Sequence, residues 1–278
     1  MQMNAPKHAT STPPLLKRMF FAPSGQDDSS GWKWQGLLAG WLPALCLVAL
    51  VFYFSFHQLA YRWNWPSVYK YRWNLLSGWG VTIGISLVSL LLSTVIGLVF
   101  ALVRRSPLLP LRNFGHLYVE LVRGTPLLVQ ILVFFYVVAD AFRVENRYVA
   151  GVLILSFFSG AYISEVIRAG LQSVAESQLE SARAIGLTRA QTYRYVILPQ
   201  ALRLTLPPLV GQFVSLIKDS SLLSIIAVNE FTQAARDVNA VTYSTLECYL
   251  PLAAGYLVLT LPLSLWLRSL EKRLRFET

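Results

Sequence analysis

The sequence predicts an all-α, polytopic membrane protein of about six transmembrane helices, with both termini on the cytoplasmic side. Three observations carry this. Hydrophobic residues make up 55% of the chain and charged residues only 14%, against about 25% charged in a soluble domain. Apolar runs near the ~20 residues needed to cross a bilayer recur along the chain. Lys and Arg gather in alternate connecting segments, the pattern that records membrane orientation. At 278 residues the length suits one membrane domain, its core made by helices packing within the bilayer.

The elements follow in order. Residues 1–31 are rich in Pro, Ser and Thr and lack an apolar run long enough for a signal peptide, which predicts a disordered cytoplasmic tail. Residues 32–76 hold a first span, Gln35 to Phe56, and a loop carrying Tyr61, Trp63, Trp65, Tyr69, Tyr71 and Trp73, amphipathic rings suited to an interfacial belt. Residues 77–270 form the main body. Its candidate spans are Gly80 to Val103, Phe114 to Ala139, Tyr148 to Ile167, Leu204 to Val228 and Tyr249 to Leu267, and residues 271–278 are a second cytoplasmic tail.

With the N-terminus inside, seventeen of the Lys and Arg residues fall on the inner side and six on the outer, with Lys218 within a span. The net charge of +10 therefore reads as orientation rather than as nucleic-acid binding. Ser89, Ser93, Gly97 and Ala101 place a small residue at every fourth position of the second span, a flat stripe for close approach of a helix of this chain or of a second subunit. Cys46 and Cys248 have no metal or redox spacing and read as small packing residues.

Polar residues at membrane depth line a pathway or pair with one another. Glu120 and Arg123 stand three apart before the kink-prone Gly124-Thr125-Pro126, with Gln130 beyond. Ser159, Tyr162 and Glu165 recur at three-residue spacing, with Arg168 one turn on, and Gln212, Ser215 and Asp219 share a stripe beside Lys218. Gln130, Tyr162, Glu165, Gln212, Ser215, Lys218 and Asp219 are the candidate solute-pathway residues. No paired catalytic carboxylates, Cys/His metal spacing or activated serine occurs, so no catalytic or metal site is expected.

The loop at 171–199 carries two helix-start signatures. Ser177-Gln178-Leu179-Glu180 and Thr188-Arg189-Ala190-Gln191 both fit the capping box, and Gly186 sits between them as a C-cap. A short helix, a turn and a second helix running to Pro199 make a compact knob. Spacing alone suits an amphipathic element on the headgroups as well as a docking element.

Glu180-Ser181-Ala182, then Gly186 after three intervening residues and Val196-Ile197-Leu198-Pro199 after nine more, together resemble the EAA loop of ABC importer permeases, departing from it at Ser181 and Val196. Arg123 through Gln130, Tyr162 through Gly170 and Lys218-Asp219-Ser220-Ser221-Leu222 are similar to the histidine, arginine and glutamine permeases among polar amino acid importers. The resemblance implies a five-helix permease core with an extra N-terminal helix. It implies that Glu180, Ser181, Ala182, Gly186, Leu198 and Pro199 belong to a coupling helix seated on a separate ATPase subunit, Ala182 allowing close approach of that partner. It further implies a second permease, identical or similar, an extracytoplasmic amino acid-binding protein, and residence in the bacterial inner membrane. No G-x-x-x-x-G-K-[ST] phosphate loop occurs, so ATP and Mg are expected on the partner and no cofactor on this chain. An ATP-independent secondary amino acid transporter is the alternative, against which stand the knob and the absence of related halves.

Overall fold

A computed structural model of the chain describes residues 34–58 and 61–274. The expected N-terminal tail, and residues 275–278 of the C-terminal one, lie outside the described residues. The chain divides into two units, Met1–Arg62 and Trp63–Thr278.

The first unit contributes α1, Trp34–His57, with Pro43 inside it. Its side chains from Leu42 to Phe54 are exposed, as an apolar helix in lipid requires.

Among the described residues of the second unit, every regular element is a helix. Short α2, Trp65–Lys70, leads into α3, Arg72–Val103. Next come α4, Leu109–Gly124, and α5, Leu127–Val133, the latter extended by a π-helical turn at Phe134–Ala139. The long α6, Arg147–Gln172, runs to the knob, formed by α7, Glu176–Ala184, and α8, Arg189–Thr192. A π-helical turn at Tyr193–Ile197 joins α8 to α9, Leu198–Asp219, and a 3-10 turn follows at Ser220–Ile226. The chain closes with α10, Phe231–Thr242, and α11, Thr245–Leu274.

Among the described residues, four stretches are long and apolar enough to cross a membrane: Arg72–Val103, Arg147–Gln172, Arg189–Ile226 and Thr245–Leu274. The expected span from Phe114 to Ala139 is corrected: its helix starts at Leu109 and is bent by 111° at Thr125-Pro126, so it is a broken span or a re-entrant loop. Pro126 lacks an N–H and forces the preceding residue out of the helical region; Thr125 has φ −122° and ψ 147°. Counting the bent pair as one span gives five among the described residues. The sixth candidate lies in α1, whose apolar character is seen over Leu42–His57.

The core is built on α3 against α6. The small-residue stripe serves this contact within the chain: Ser89, Ser93, Gly97 and Ala101 are all buried, and the stripe continues upward through Ser86, Thr82 and Gly78. A Cβ on Gly97 would lie 2.5 Å from Ile163 Cγ2, and one on Gly160 would lie 2.6 Å from Ile96 Cγ2. Each helix thus receives the other's isoleucine against bare backbone. With no water to expel in lipid, this dispersion contact is what holds the pair together. Around it Ile85, Ile131, Ile154, Leu155, Leu216 and Leu223 close the core.

The aromatic segment belongs to the second unit from Trp63 onward. Trp63 and Trp65 stack with ring centroids 5.8 Å apart, and the Arg72 guanidinium lies 4.4 Å from the centre of the Tyr69 ring. These rings and the cation pack on one another in the segment where the sequence suggests an interfacial belt.

Candidate functional site

The knob is formed by local chemistry. At the end of α7, Gly186 adopts φ +79°, left-handed backbone that glycine enters without steric cost. Its N–H donates to Arg183 O at 3.0 Å and the Leu187 N–H donates to Ala182 O at 3.0 Å, the two bonds of a Schellman motif. Two residues later Thr188 starts α8 with a capping box: the Gln191 N–H donates to Thr188 Oγ1, and the Thr188 N–H donates to Gln191 Oε1 at 2.8 Å.

The other expected capping box is absent. The N-cap of α7 is Ala175, without a side-chain cap, so Ser177 lies inside the first turn. Its carbonyl instead accepts from Ser181 Oγ at 2.8 Å.

Glu180, Ser181 and Gly186 are exposed, as are Leu198 and Pro199 at the head of α9. Ala182 is not: only 3% of it is exposed, so it packs within the knob and presents no surface to a partner. The sequence reading missed Ile185, the C-cap of α7, which is 76% exposed at the tip of the knob. A large apolar side chain so placed, between Arg183 and the turn at Gly186, fits a protein contact. The signal available in the sequence was an isoleucine directly before the turn glycine Gly186.

Two of the expected polar clusters merge into one. Glu165 on α6 accepts from Arg104 Nη1 at 2.7 Å and from Arg168 Nε at 3.1 Å, with a further bond from Arg168 Nη2. Arg123 from the end of α4 comes within 4.0 Å of the same carboxylate and lies 5.5 Å from the centre of the Tyr162 ring. Glu120 is exposed and joins no ion pair among the described residues, so the pairing of Glu120 with Arg123 gives way to a tertiary partner. Ser159 is fully buried, although it shares the spacing of Tyr162 and Glu165.

Gln130 closes the break between α4 and α5. Its Nε2 donates to Val122 O at 2.7 Å and to Thr125 O at 3.1 Å, satisfying carbonyls that the bend releases. On α9, Gln212, Ser215 and Asp219 lie half-buried on one stripe while Lys218 is exposed. Lys218 and Asp219 join no ion pair among the described residues. The structure gives no hydrogen bond between this stripe and the Glu165 group.

A fully buried carboxylate, Glu230, went unseen in the sequence. It caps α10, accepting from the Thr232 and Gln233 N–H groups, each at 2.8 Å, and from the Tyr256 hydroxyl at 2.9 Å. The Phe231 N–H donates to Thr82 Oγ1 at 3.1 Å, so α3, α10 and α11 meet at this point. Burial pushes the Glu230 carboxyl above the usual carboxylate range, and the donors pull it back. The available signal was Glu230 with Gln233 three residues on, an N-terminus pattern overlooked because it lies between spans.

With this geometry in place, comparison with known proteins gives a consistent result. Residues 93–276 match the family of the binding-protein-dependent transport system inner membrane component. The chain is 38% identical over 199 residues to the probable glutamine ABC transporter permease protein GlnM of Bacillus subtilis (strain 168), covering 72% of this chain and 92% of the relative. It is 40% identical over 214 residues to the L-cystine transport system permease protein TcyB of the same organism, covering 76% and 91%. Among solved structures it is similar to the crystal structure of an amino acid ABC transporter with histidines, at TM-score 0.72 and 36% identity over 77% of this chain and 100% of that one. The chain belongs to the binding-protein-dependent transport system inner membrane component family and is an ABC transporter permease.

Proposed function

We propose that this permease is the membrane-spanning subunit of an ATP-driven importer that carries a polar amino acid, or a closely related solute, across a bacterial inner membrane. The observation that carries the reading is the knob: a capped, two-helix element between α6 and α9, with an exposed isoleucine at its tip and Glu180, Ser181 and Gly186 around it. A channel or gradient-driven carrier has no use for such an element. A separate ATPase needs one, because this chain has no phosphate-binding loop. The glutamine and cystine named in the relatives support an amino acid as the solute.

The partners follow from this reading: ATPase subunits that bind ATP and Mg, a second permease, and an extracytoplasmic binding protein that delivers the solute. Both termini face the cytoplasm, as does the knob, in keeping with the excess of Lys and Arg on that side. Closure of the ATPase subunits on ATP pushes the knob, and α6 and α9 tilt because they are its two roots. The cavity between permeases then opens outward. The half-buried stripe of Gln212, Ser215 and Asp219 lines that cavity, where hydroxyl, amide and carboxylate groups replace the hydration of a zwitterion.

The test is uptake into liposomes that hold the permease with its ATPase, ATP inside and the binding protein outside, against a panel of labelled amino acids. The proposal predicts accumulation of a polar amino acid only when ATP and binding protein are both present. Accumulation driven by a proton or sodium gradient without ATP would overturn it.

A further inference from the structure

We propose that Glu165 is the positioning residue through which movement of the knob reaches the rest of the membrane bundle, an inference that rests on the proposed function. The helix α6 ends at Gln172, and only residues 173–175 separate it from the knob helix α7. Arg168 donates to the side chain of Gln172 and at the same time clasps Glu165. Glu165 in turn holds Arg104 at 2.7 Å, at the C-terminal end of α3, and has Arg123 of α4 at 4.0 Å.

The other root of the knob is held from the same place. Arg105, next to Arg104, donates to the Tyr193 hydroxyl at 3.3 Å in the π-helical turn that leads from α8 to α9. The Arg104-Arg105 pair thus grips both arms of one hairpin. Arg123 stands directly before Gly124, where α4 ends and the chain bends by 111°, so a pull on Glu165 arrives at the break as well.

The charge count supports a moving part rather than a static staple. A fixed ion pair needs one guanidinium, and here three surround one carboxylate. The Arg104 side chain is 7% exposed, against 42% for Arg123, so Arg104 is the fixed anchor and Arg123 the partner free to approach or withdraw. Glu165 can therefore exchange partners as α6 tilts without being left bare in a poorly solvated place, which is the costly outcome. Irregular π-helical geometry at the exit root suits a hinge.

The experiment measures solute transported per ATP hydrolysed by the reconstituted complex. Glu165→Gln is expected to lower that ratio about tenfold while the ATPase subunit still co-purifies at the wild-type level. Arg104→Gln combined with Glu165→Gln is expected to be no worse than Glu165→Gln alone, because both act in one linkage. Tyr193→Phe, which removes a single hydroxyl from an exposed side chain, is expected to lower the ratio about twofold with assembly unchanged. A wild-type ratio in Glu165→Gln, additive losses in the double variant, or loss of the ATPase subunit from Glu165→Gln would each overturn the linkage. An unchanged ratio in Tyr193→Phe would overturn the grip on the second root. Absence of ATP-linked uptake in the wild-type complex would instead sink the proposed function, on which the linkage depends.

Discussion

Truncation of Ile185 to alanine isolates what the tip of the knob contributes to partner binding. The side chain is 76% exposed, so its removal leaves the permease's own packing intact and changes its stability by no more than about 0.5 kcal/mol. Docked in a pocket of the ATPase, the same side chain is withdrawn from water. The substitution deletes three carbons at about 0.8 kcal/mol each. Scaled by the exposed fraction, that is about 1.8 kcal/mol, or about a twentyfold weaker Kd. The assay pairs thermal unfolding of the purified permease in detergent with titration of the ATPase subunit. An unchanged melting temperature with about twentyfold weaker binding is the expected result. Binding within about twofold of wild type would refute the docking role of Ile185.

Other predictions follow the same logic. A Cβ at Gly186 meets nothing within 4 Å, so Gly186→Asp costs only the left-handed backbone strain of about 1–2 kcal/mol; the chain still inserts, and uptake is abolished if the turn must meet a partner. Gly97→Ala drives a methyl into Ile163 and to within 3.0 Å of the Ser164 backbone nitrogen, which is expected to destabilise the bundle by about 1–3 kcal/mol. Gly84→Ala, with nothing within 4 Å, is the neutral control in the same thermal assay. Glu230→Ala leaves the Thr232 and Gln233 N–H groups without their acceptor, at about 1–3 kcal/mol; hydrogen exchange at these two amides should accelerate well ahead of exchange in α6.

The parts of this protein that were legible in the sequence are those fixed by short-range chemistry. The turn at Gly186 and the cap made by Thr188 and Gln191 depend on residues within a few positions of one another, and both form as expected. The stripe through Ser89, Ser93, Gly97 and Ala101 was visible as a pattern, but only the fold shows that α6 fills it. Ser177 fits the capping pattern equally well and does not cap, because α7 starts earlier, at Glu176. Arg123 has Glu120 one turn away on an exposed face, yet it turns to Glu165, where a less hydrated setting strengthens the attraction. The kink at Pro126 was written in the chain, whereas its 111° magnitude depends on what the helices pack against. Ala182 was assigned to a partner by resemblance alone, and burial inside the knob removes it from that role.

The most direct test of the account is quantitative mass spectrometry of the proteins that co-purify with this permease from native membranes in mild detergent, alongside the Gly186→Asp variant. The account predicts a stoichiometric ATPase subunit with the wild-type chain and its loss from a variant that is still folded and inserted. A folded wild-type permease that brings down no ATPase subunit would contradict the central claim that the knob couples this chain to ATP hydrolysis.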